Sequence, residues 1–212
     1  MAQTNKFLAN DATVAEYRAK YNYAESQPIK WQIKRVIDVT HATAGLLLCS
    51  PILLGAAIAI KAESTGPVIF KQQRIGLDGK MFTIYKLRTM YNNTQYKQVM
   101  SQDDQDITHI GKILRKYSID EIPQLFNVLR NDMSLVGPRP LTEQSFQIRN
   151  AKYTDYGIRH IVKPGLCLGA NRLGTDKNIA EIEKSYIQNW SLSGDLRLFL
   201  EIIRHVLHGR NF

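Results

Sequence analysis

The longest apolar stretch of the chain runs from Ala42 to Ile60 and reads ATAGLLLCSPILLGAAIAI. It contains no charged residue and has close to the roughly 20 apolar residues that a membrane-crossing helix needs. Ser50 and Pro51 stand in its middle, and a proline inside a helix removes a backbone hydrogen bond and crowds the preceding turn. The pattern therefore predicts a lipid-contacting helix that bends at Ser50 and Pro51.

Basic residues flank this stretch on both sides, with Lys34 and Arg35 before it and Lys61 after it. A helix that crosses the membrane once would place one basic flank on the outer side, against the positive-inside tendency. A re-entrant helix, which enters the membrane, turns at its middle and leaves on the same side, keeps both flanks in the cytoplasm. We therefore predict a re-entrant helix over residues 31–62. The alternatives are a straight transmembrane anchor and a buried core helix of a soluble protein.

Shorter periodic patterns follow the apolar stretch. Two β-like runs, at 67–70 and 82–87, are separated by Asp78-Gly79 and predict a hairpin that turns there. Helical apolar spacing occurs in three later regions, at residues 110–117, 121–129 and 179–207. The last region contains two amphipathic patterns, and such helices can lie on a membrane surface or cap a core.

Together these elements predict one functional domain of the α+β class. The expected protein is mostly helical and monotopic, with a kinked re-entrant membrane helix, a short β-hairpin and amphipathic interfacial helices. We divide it into an N-terminal segment (1–30), the re-entrant membrane helix (31–62) and the remaining region (63–212). A chain of 212 residues, of which 44% are hydrophobic, is large enough for one core.

The charge balance narrows the range of partners without choosing among them. With 28 Lys and Arg against 19 Asp and Glu, the net charge of +9 suits nucleic acid, anionic lipid head groups or phosphorylated substrates. The two cysteines, Cys49 and Cys167, are too few for a disulfide framework or a multi-cysteine zinc site. The chain also lacks a Walker loop and the GxGxxG, HExxH and GxSxG strings, so the common nucleotide, metalloprotease and hydrolase signatures are absent.

Candidate chemistry centres on two adjacent carboxylates, Asp120 and Glu121. They stand at a predicted helix N-terminus, where the helix dipole stabilises ionised carboxylates, and an ordinary acidic cap is the alternative. Further along, Pro138 and Pro140 enclose Arg139. Two prolines would hold its guanidinium in one orientation, suited to bidentate phosphate contact, and a stiff surface turn is the alternative.

A basic set upstream of the carboxylates comprises Lys71, Arg74, Lys86 and Arg88. Alternate residues of a strand face the same side, so we expect Lys86 and Arg88 to point together. Carboxylates beside phosphate-binding cations suggest magnesium-assisted phosphoryl transfer. An aspartate can itself be the nucleophile in such a reaction, through an acyl-phosphate intermediate.

Five strings between Lys34 and Leu166 carry a family likeness: KRVIDVT, GPVIFKQQRIG, IYKLRTM, LRKYSIDEIPQLFNVLRNDMSLVGPRP and RHIVKPGL. Together they resemble the bacterial sugar transferase family of monotopic phosphoglycosyl transferases. The resemblance implies that Asp120 attacks the β-phosphate of a UDP-sugar, releases UMP and carries the phosphosugar until a polyprenyl phosphate takes it up. Asp120 and Glu121 would be the metal site, with Glu121 helping to bind Mg²⁺ or assisting proton transfer.

The resemblance also implies that residues 63–212 form a cytosolic catalytic region with interfacial amphipathic helices, and it implies a set of substrate-binding residues. Arg115 would steady phosphate charge, the turn from Pro138 to Pro140 would contact the nucleotide, and Lys86 and Arg88 match the family's basic strand motif. The predicted set is Arg74, Lys86, Arg88, Arg115, Pro138, Arg139, Pro140, Arg159 and Arg172. After Gly165 the chain departs from the family pattern and reads LCLGANRLGT, so Arg172 is matched to the family's late arginine across a shortened stretch.

The predicted partners are a UDP-sugar donor, undecaprenyl phosphate and membrane phospholipid, with Mg²⁺ as the cofactor and a homodimer allowed. Nucleic acid is not expected, because the chain has a charge-free run and no recognised nucleic-acid-binding motif. The predicted location is the cytoplasmic face of the bacterial inner membrane, in the synthesis of a surface glycan. A non-enzymatic basic scaffold on the membrane surface is the competing hypothesis.

Overall fold

The chain folds into helices joined by two small pairs of strands. The computed structural model describes residues 12–21, 26–91, 106–167 and 176–207. In chain order the elements are α1 (Ala12–Tyr21), α2 (Pro28–Glu63), β1 (Ile69–Ile75), β2 (Met81–Leu87), α3 (His109–Lys116), α4 (Leu125–Leu129), β3 (Ser134–Val136), α5 (Glu143–Asn150), β4 (Gly165–Cys167), α6 (Asp176–Gln188) and α7 (Leu192–Leu207). Short 3₁₀ helices cover Leu77–Gly79, Ile119–Gln124 and Tyr156–Ile161. The mostly helical composition and the short hairpin are as predicted.

Helix α2 contains the long apolar stretch and extends slightly beyond the predicted residues at both ends. Within the described ranges it is the one helix long and apolar enough to cross a membrane. The helix continues through Ser50 and Pro51. Pro51 has no N–H to bond the carbonyl of Leu47, and the Ser50 hydroxyl donates to that carbonyl instead, at 2.8 Å. The predicted bend and the re-entrant path stay predictions.

Both halves of α2 expose large apolar side chains, and each buries a few residues against the rest of the protein. The second half exposes large apolar side chains, including Leu47, Leu48, Ile52, Leu54 and Ile58. The first half buries two charged residues, Lys34 and Asp38, against the rest of the protein. The Asp38 carboxylate accepts hydrogen bonds from the Ser134 hydroxyl at 2.8 Å and from the Leu135 N–H at 3.2 Å. Helix α2 is therefore docked on strand β3 through its first half.

A second set of contacts joins α2 to the C-terminal helices. Lys34 Nζ lies 2.5 Å from the Asp195 carboxylate, which also accepts from the Trp190 indole at 3.1 Å and the Tyr186 hydroxyl at 3.0 Å. The predicted amphipathic helices are present as α6 and α7. Helix α7 leaves Leu196, Leu200 and Ile203 exposed. Their contact with a membrane stays a prediction.

Strands β1 and β2 form the predicted antiparallel hairpin, with Ile69 opposite Leu87 and Ile75 opposite Met81. Strand β1 begins at Ile69 and continues to Ile75, beyond the predicted run at 67–70. The turn contains Asp78 at φ 58°, in the left-handed region that Asp tolerates better than most residues. A second pair was not predicted: β3 and β4 run parallel, with Ser134 opposite Gly165. Strands of three residues are too short to show alternation in a sequence.

The core lies where α2, the hairpin, α4 and β3 meet. Its buried residues include Ala42, Ile84, Val128 and Met133. Gly45 allows the close approach of α2 to α4, because a Cβ there would lie 2.9 Å from the Leu125 side chain. This packing places the segment between α3 and α4, which contains the carboxylate pair, against strand β2.

Candidate active site

The two predicted carboxylates lie in the 3₁₀ helix Ile119–Gln124, just before α4 begins at Leu125. The sequence predicts one helix from residue 121 to residue 129, with the pair at its start. The structure instead gives a 3₁₀ helix that contains Pro123, followed by a separate α-helix of five residues. The preceding Ser118 adopts φ 54° and turns the chain sharply after α3. The pair is therefore held by a tight turn between two helices.

Glu121 is fully engaged by two cations. Its Oε1 atom accepts from Lys86 Nζ at 2.7 Å and from Arg139, and its Oε2 accepts from Arg139 Nη1 at 3.3 Å. Burial would raise the pKa of Glu121, but the Arg139 and Lys86 charges outweigh it and hold that pKa well below its ordinary range. Glu121 is therefore ionised, and it fixes the positions of both cations.

Asp120 has the opposite environment. Its side chain belongs to a residue only 8% exposed, and it makes no hydrogen bond to any other residue that the structure describes. Burial, opposed by the Lys86 charge and aided by the Glu121 charge, raises the pKa of Asp120 to about 6. At neutral pH the carboxylate is ionised but weakly stabilised, which is a suitable state for a nucleophile.

The structure brings three of the predicted cations to this pair. Lys86 and Arg139 bind Glu121 directly. Arg115 donates from Nε to the Thr89 hydroxyl at 2.9 Å, and its charge lowers the pKa of Asp120. The site thus combines two carboxylates with three basic side chains, as a site for a phosphorylated ligand requires.

Arg88 does not join Lys86 at the pair, and our expectation that the two side chains point together is wrong. Strand β2 ends at Leu87, so the alternation does not extend to Arg88. The Arg88 guanidinium is buried and donates to the carbonyls of Ser64, at 2.8 Å, and Thr65. It therefore binds the C-terminal end of α2, where helix carbonyls lack partners within the helix.

The turn from Pro138 to Pro140 is held by hydrogen bonds to all three of its backbone carbonyls. The Pro138 carbonyl accepts from Gly165 N at 2.9 Å, the Arg139 carbonyl from Arg159, and the Pro140 carbonyl from Arg74 at 3.2 Å. The turn is thus rigid, as the two prolines predict. Arg74 and Arg159 contact this turn rather than the carboxylates, and Arg172 lies outside the residues that the structure describes.

The buried Glu183 of α6 was not among the predicted site residues. Its carboxylate lies 3.1 Å from the Arg159 guanidinium. The sequence does contain a signal for it, because Ile179, Ile182, Glu183 and Tyr186 share one helical face by their i, i+3, i+4, i+7 spacing. An acid within an apolar face predicts a buried partner of opposite charge.

The site offers two adjacent carboxylates as possible ligands for Mg²⁺, so its fit depends on the number of protein ligands that the ion requires. No group of three or more His, Cys, Asp or Glu that could hold a metal occurs among the described residues. Mg²⁺ commonly binds one or two carboxylates and completes its shell with water and substrate phosphates. Asp120, which has no hydrogen-bond partner in the described part of the chain, fits such a site once a phosphorylated ligand is present. Both oxygens of the adjacent Glu121 already bind Lys86 or Arg139, so Glu121 would have to exchange one of these contacts to bind the ion.

Known proteins resemble this chain over most of its length. The model of the family described as bacterial sugar transferase matches residues 29–209. A UDP-glucose:undecaprenyl-phosphate glucose-1-phosphate transferase of Caulobacter vibrioides is 42% identical over 186 residues, covering 82% of this chain and 69% of that protein. A UDP-N-acetylgalactosamine-undecaprenyl-phosphate N-acetylgalactosaminephosphotransferase of Aeromonas hydrophila is 40% identical, covering 86% of this chain and 45% of that protein. The uncharacterized sugar transferase EpsL of Bacillus subtilis is 39% identical, with 82% and 87% covered.

Proposed function

Since the chain belongs to the bacterial sugar transferase family, we propose that it moves a phosphosugar from a UDP-sugar to undecaprenyl phosphate, giving a polyprenyl-diphosphate-sugar and UMP. The names of its relatives in Caulobacter vibrioides and Aeromonas hydrophila support the donor and acceptor classes. The observation that carries the proposal is the unequal carboxylate pair. Asp120 is buried and makes no hydrogen bond to a described residue, and it lies beside Glu121, which binds Lys86 and Arg139.

In the proposed reaction the Asp120 carboxylate attacks the β-phosphorus of the UDP-sugar. A bond forms between the carboxylate oxygen and phosphorus, the bond to the bridging oxygen breaks, and UMP leaves with the electron pair. A phosphate oxygen of undecaprenyl phosphate then attacks the same phosphorus and releases the Asp120 carboxylate. Two displacements at one phosphorus thus replace one direct transfer.

The basic side chains offset the negative charge that gathers in this step. Lys86 and Arg139 are already fixed by Glu121, so they need little reorganisation when a diphosphate binds. Arg115 adds a third positive charge near Asp120. Mg²⁺ bound by Asp120 or Glu121 together with the donor phosphates would supply further charge neutralisation.

The acceptor is a lipid, and the exposed apolar half of α2 supports a membrane location. We propose that the protein is monotopic on the cytoplasmic face of the bacterial inner membrane, with a re-entrant α2 bent at Ser50-Pro51 and with α7 at the interface. Its product would begin a surface glycan. Tags placed at both chain ends should react only with reagents on the cytoplasmic side. Periplasmic labelling of the N-terminal tag would indicate a straight transmembrane helix.

The test of the reaction is UMP release by protein in nanodiscs, with Mg²⁺, undecaprenyl phosphate and a panel of UDP-sugars. We expect release with at least one donor and a loss of about 10³-fold or more in Asp120→Asn, because the nucleophile is gone. Glu201→Gln removes an exposed carboxylate of α7 and should leave the rate unchanged. With donor alone, UMP release should stop at about one per active site, as a covalent intermediate requires.

A largely active Asp120→Asn variant would refute the proposed mechanism. No UMP from any donor, together with salt-sensitive binding to anionic vesicles, would instead support a membrane-surface scaffold.

A further inference from the structure

The turn that carries Arg139 is anchored by a buried ion pair that the proposed reaction does not use. The Arg159 guanidinium donates to the carbonyl of Arg139 and to the hydroxyl of Tyr156, and it lies 3.1 Å from the Glu183 carboxylate. Arg159 is 4% exposed and Glu183 is 3% exposed. A substrate phosphate would have to displace these partners to reach the enclosed Arg159 guanidinium, whereas the Arg139 side chain is 35% exposed. Direct substrate binding by this arginine is therefore disfavoured.

Arg139 is held both at its backbone carbonyl and at its guanidinium. Its carbonyl accepts from Arg159, and its guanidinium binds Glu121 beside Asp120. Prolines on both sides restrict the backbone of Arg139, so fixing the carbonyl also fixes the direction in which the side chain leaves the turn. A continuous chain of contacts thus runs from Glu183 on α6 through Arg159 and Arg139 to the carboxylate pair.

Stability alone is a poor explanation for this ion pair. Buried ion pairs are often no more stabilising than apolar residues of the same volume, because both charges lose their hydration. The Oε2 atom of Glu183 is also buried without a hydrogen-bond partner among the described residues, which is a further cost to the fold. The Arg159–Glu183 pair is better explained by its role in orienting the turn that carries Arg139 than by a contribution to stability.

We propose that Arg159 is a positioning residue: held by Glu183 and Tyr156, it orients Arg139 to receive the diphosphate of the nucleotide-sugar donor. The inference rests on the proposed function for the identity of that donor. It assigns Arg159 a role that differs from the direct substrate contact we predicted from the sequence. It also makes Glu183, which lies outside the matched strings, a residue that supports the donor site through Arg159.

The test uses two substitutions that nearly preserve side-chain volume, Tyr156→Phe and Glu183→Gln, which weaken the contacts that hold Arg159. In the full-length protein in nanodiscs, we expect the KM for the UDP-sugar and the Kd for UDP to rise about five- to tenfold. The KM for undecaprenyl phosphate should not change. Glu181→Gln alters an exposed acid on the same helix and should leave all three constants unchanged.

A second comparison asks whether the effect passes through Arg139. In an Arg139→Lys background, Glu183→Gln should raise the Kd for UDP less than about twofold, because groups that act as a unit are not additive. A merely structural role predicts a lower fraction of active protein with unchanged constants, or equal effects in both backgrounds, and either result would overturn the inference. A wild type that binds UDP but releases no UMP would refute the proposed reaction and still leave the comparison of Kd values decisive.

Discussion

Two regions of the molecule combine carboxylates with basic side chains in a buried setting, yet they leave those carboxylates in different states. Between α2 and α7, Asp195 is paired with Lys34, and Asp38 accepts two hydrogen bonds from β3. At the candidate active site Glu121 is equally well paired, but the adjacent Asp120 has no hydrogen bond to a described residue. Acidic and basic residues alone do not identify a reactive site. The distinguishing feature is a buried carboxylate whose pKa is raised by burial and that makes no hydrogen bond to a described residue.

The difference has opposite consequences for stability. A carboxylate that is satisfied in the folded state favours folding, whereas one that burial keeps from ionising easily opposes it. Removing a paired charge between α2 and α7 should therefore lower the unfolding free energy, whereas removing the charge of Asp120 should raise it. The predictions for Lys34 and Asp120 test this contrast.

The largest effect is expected where a fully paired charge is removed. Lys34→Met leaves the buried Asp195 without its cation, and the loss of one partner from a buried pair typically costs about 3–5 kcal/mol of unfolding free energy. Lys30→Met, at an exposed position of the same helix, should change stability by less than about 0.5 kcal/mol. Denaturant unfolding in detergent measures both. Equal stabilities of the two variants would show that the pair does not hold α2 to α7.

The opposite sign is expected at Asp120. Its folded pKa of about 6 exceeds the ordinary value, so the stability that this group contributes is complete at low pH and is lost as pH rises through 6. Asp120→Asn cannot ionise and avoids that loss. The variant should be more stable than the wild type by about 1–3 kcal/mol at pH 8, and the difference should close between about pH 6 and pH 4.

Thermal midpoints of both proteins at several pH values measure this difference. Glu121→Gln is the matched control, because the pKa of Glu121 is held low by Arg139 and Lys86 and its charge therefore favours folding. That variant should be less stable than the wild type at pH 8. If both substitutions destabilise the protein equally, the two carboxylates do not differ as described.

The sequence predicted those features that rest on local periodicity or on a short string. The apolar run became α2, Asp78-Gly79 became a hairpin turn, and the amphipathic patterns became α6 and α7. The carboxylate pair and Arg139 were found from their strings, and the structure brings them together. Each of these features is encoded within a few neighbouring residues.

The features that were missed depend on residues far apart in the chain. Lys34 reads as a membrane flank, and its partner Asp195 lies 161 positions away. Arg88 reads as a phosphate-binding residue, because nothing in the sequence marks the end of β2 at Leu87 or the helix end that Arg88 binds. A single sequence shows which side chains are charged, but which of them contact each other depends on the fold.

The smallest effect is expected in the apolar half of α2, where a neighbouring side chain provides the hydrogen bond that one backbone carbonyl would otherwise lack. The Ser50 hydroxyl donates to the Leu47 carbonyl, which Pro51 cannot reach with an N–H. Ser50→Ala should lower the unfolding free energy by about 0.5–1 kcal/mol, the usual net value of one hydrogen bond. In a Pro51→Ala background the restored N–H serves that carbonyl, so the same Ser50→Ala change should then cost almost nothing. Unfolding of the four proteins in one detergent gives the coupling between the two positions. An equal cost of Ser50→Ala in both backgrounds would mean that the hydroxyl does not replace the missing N–H.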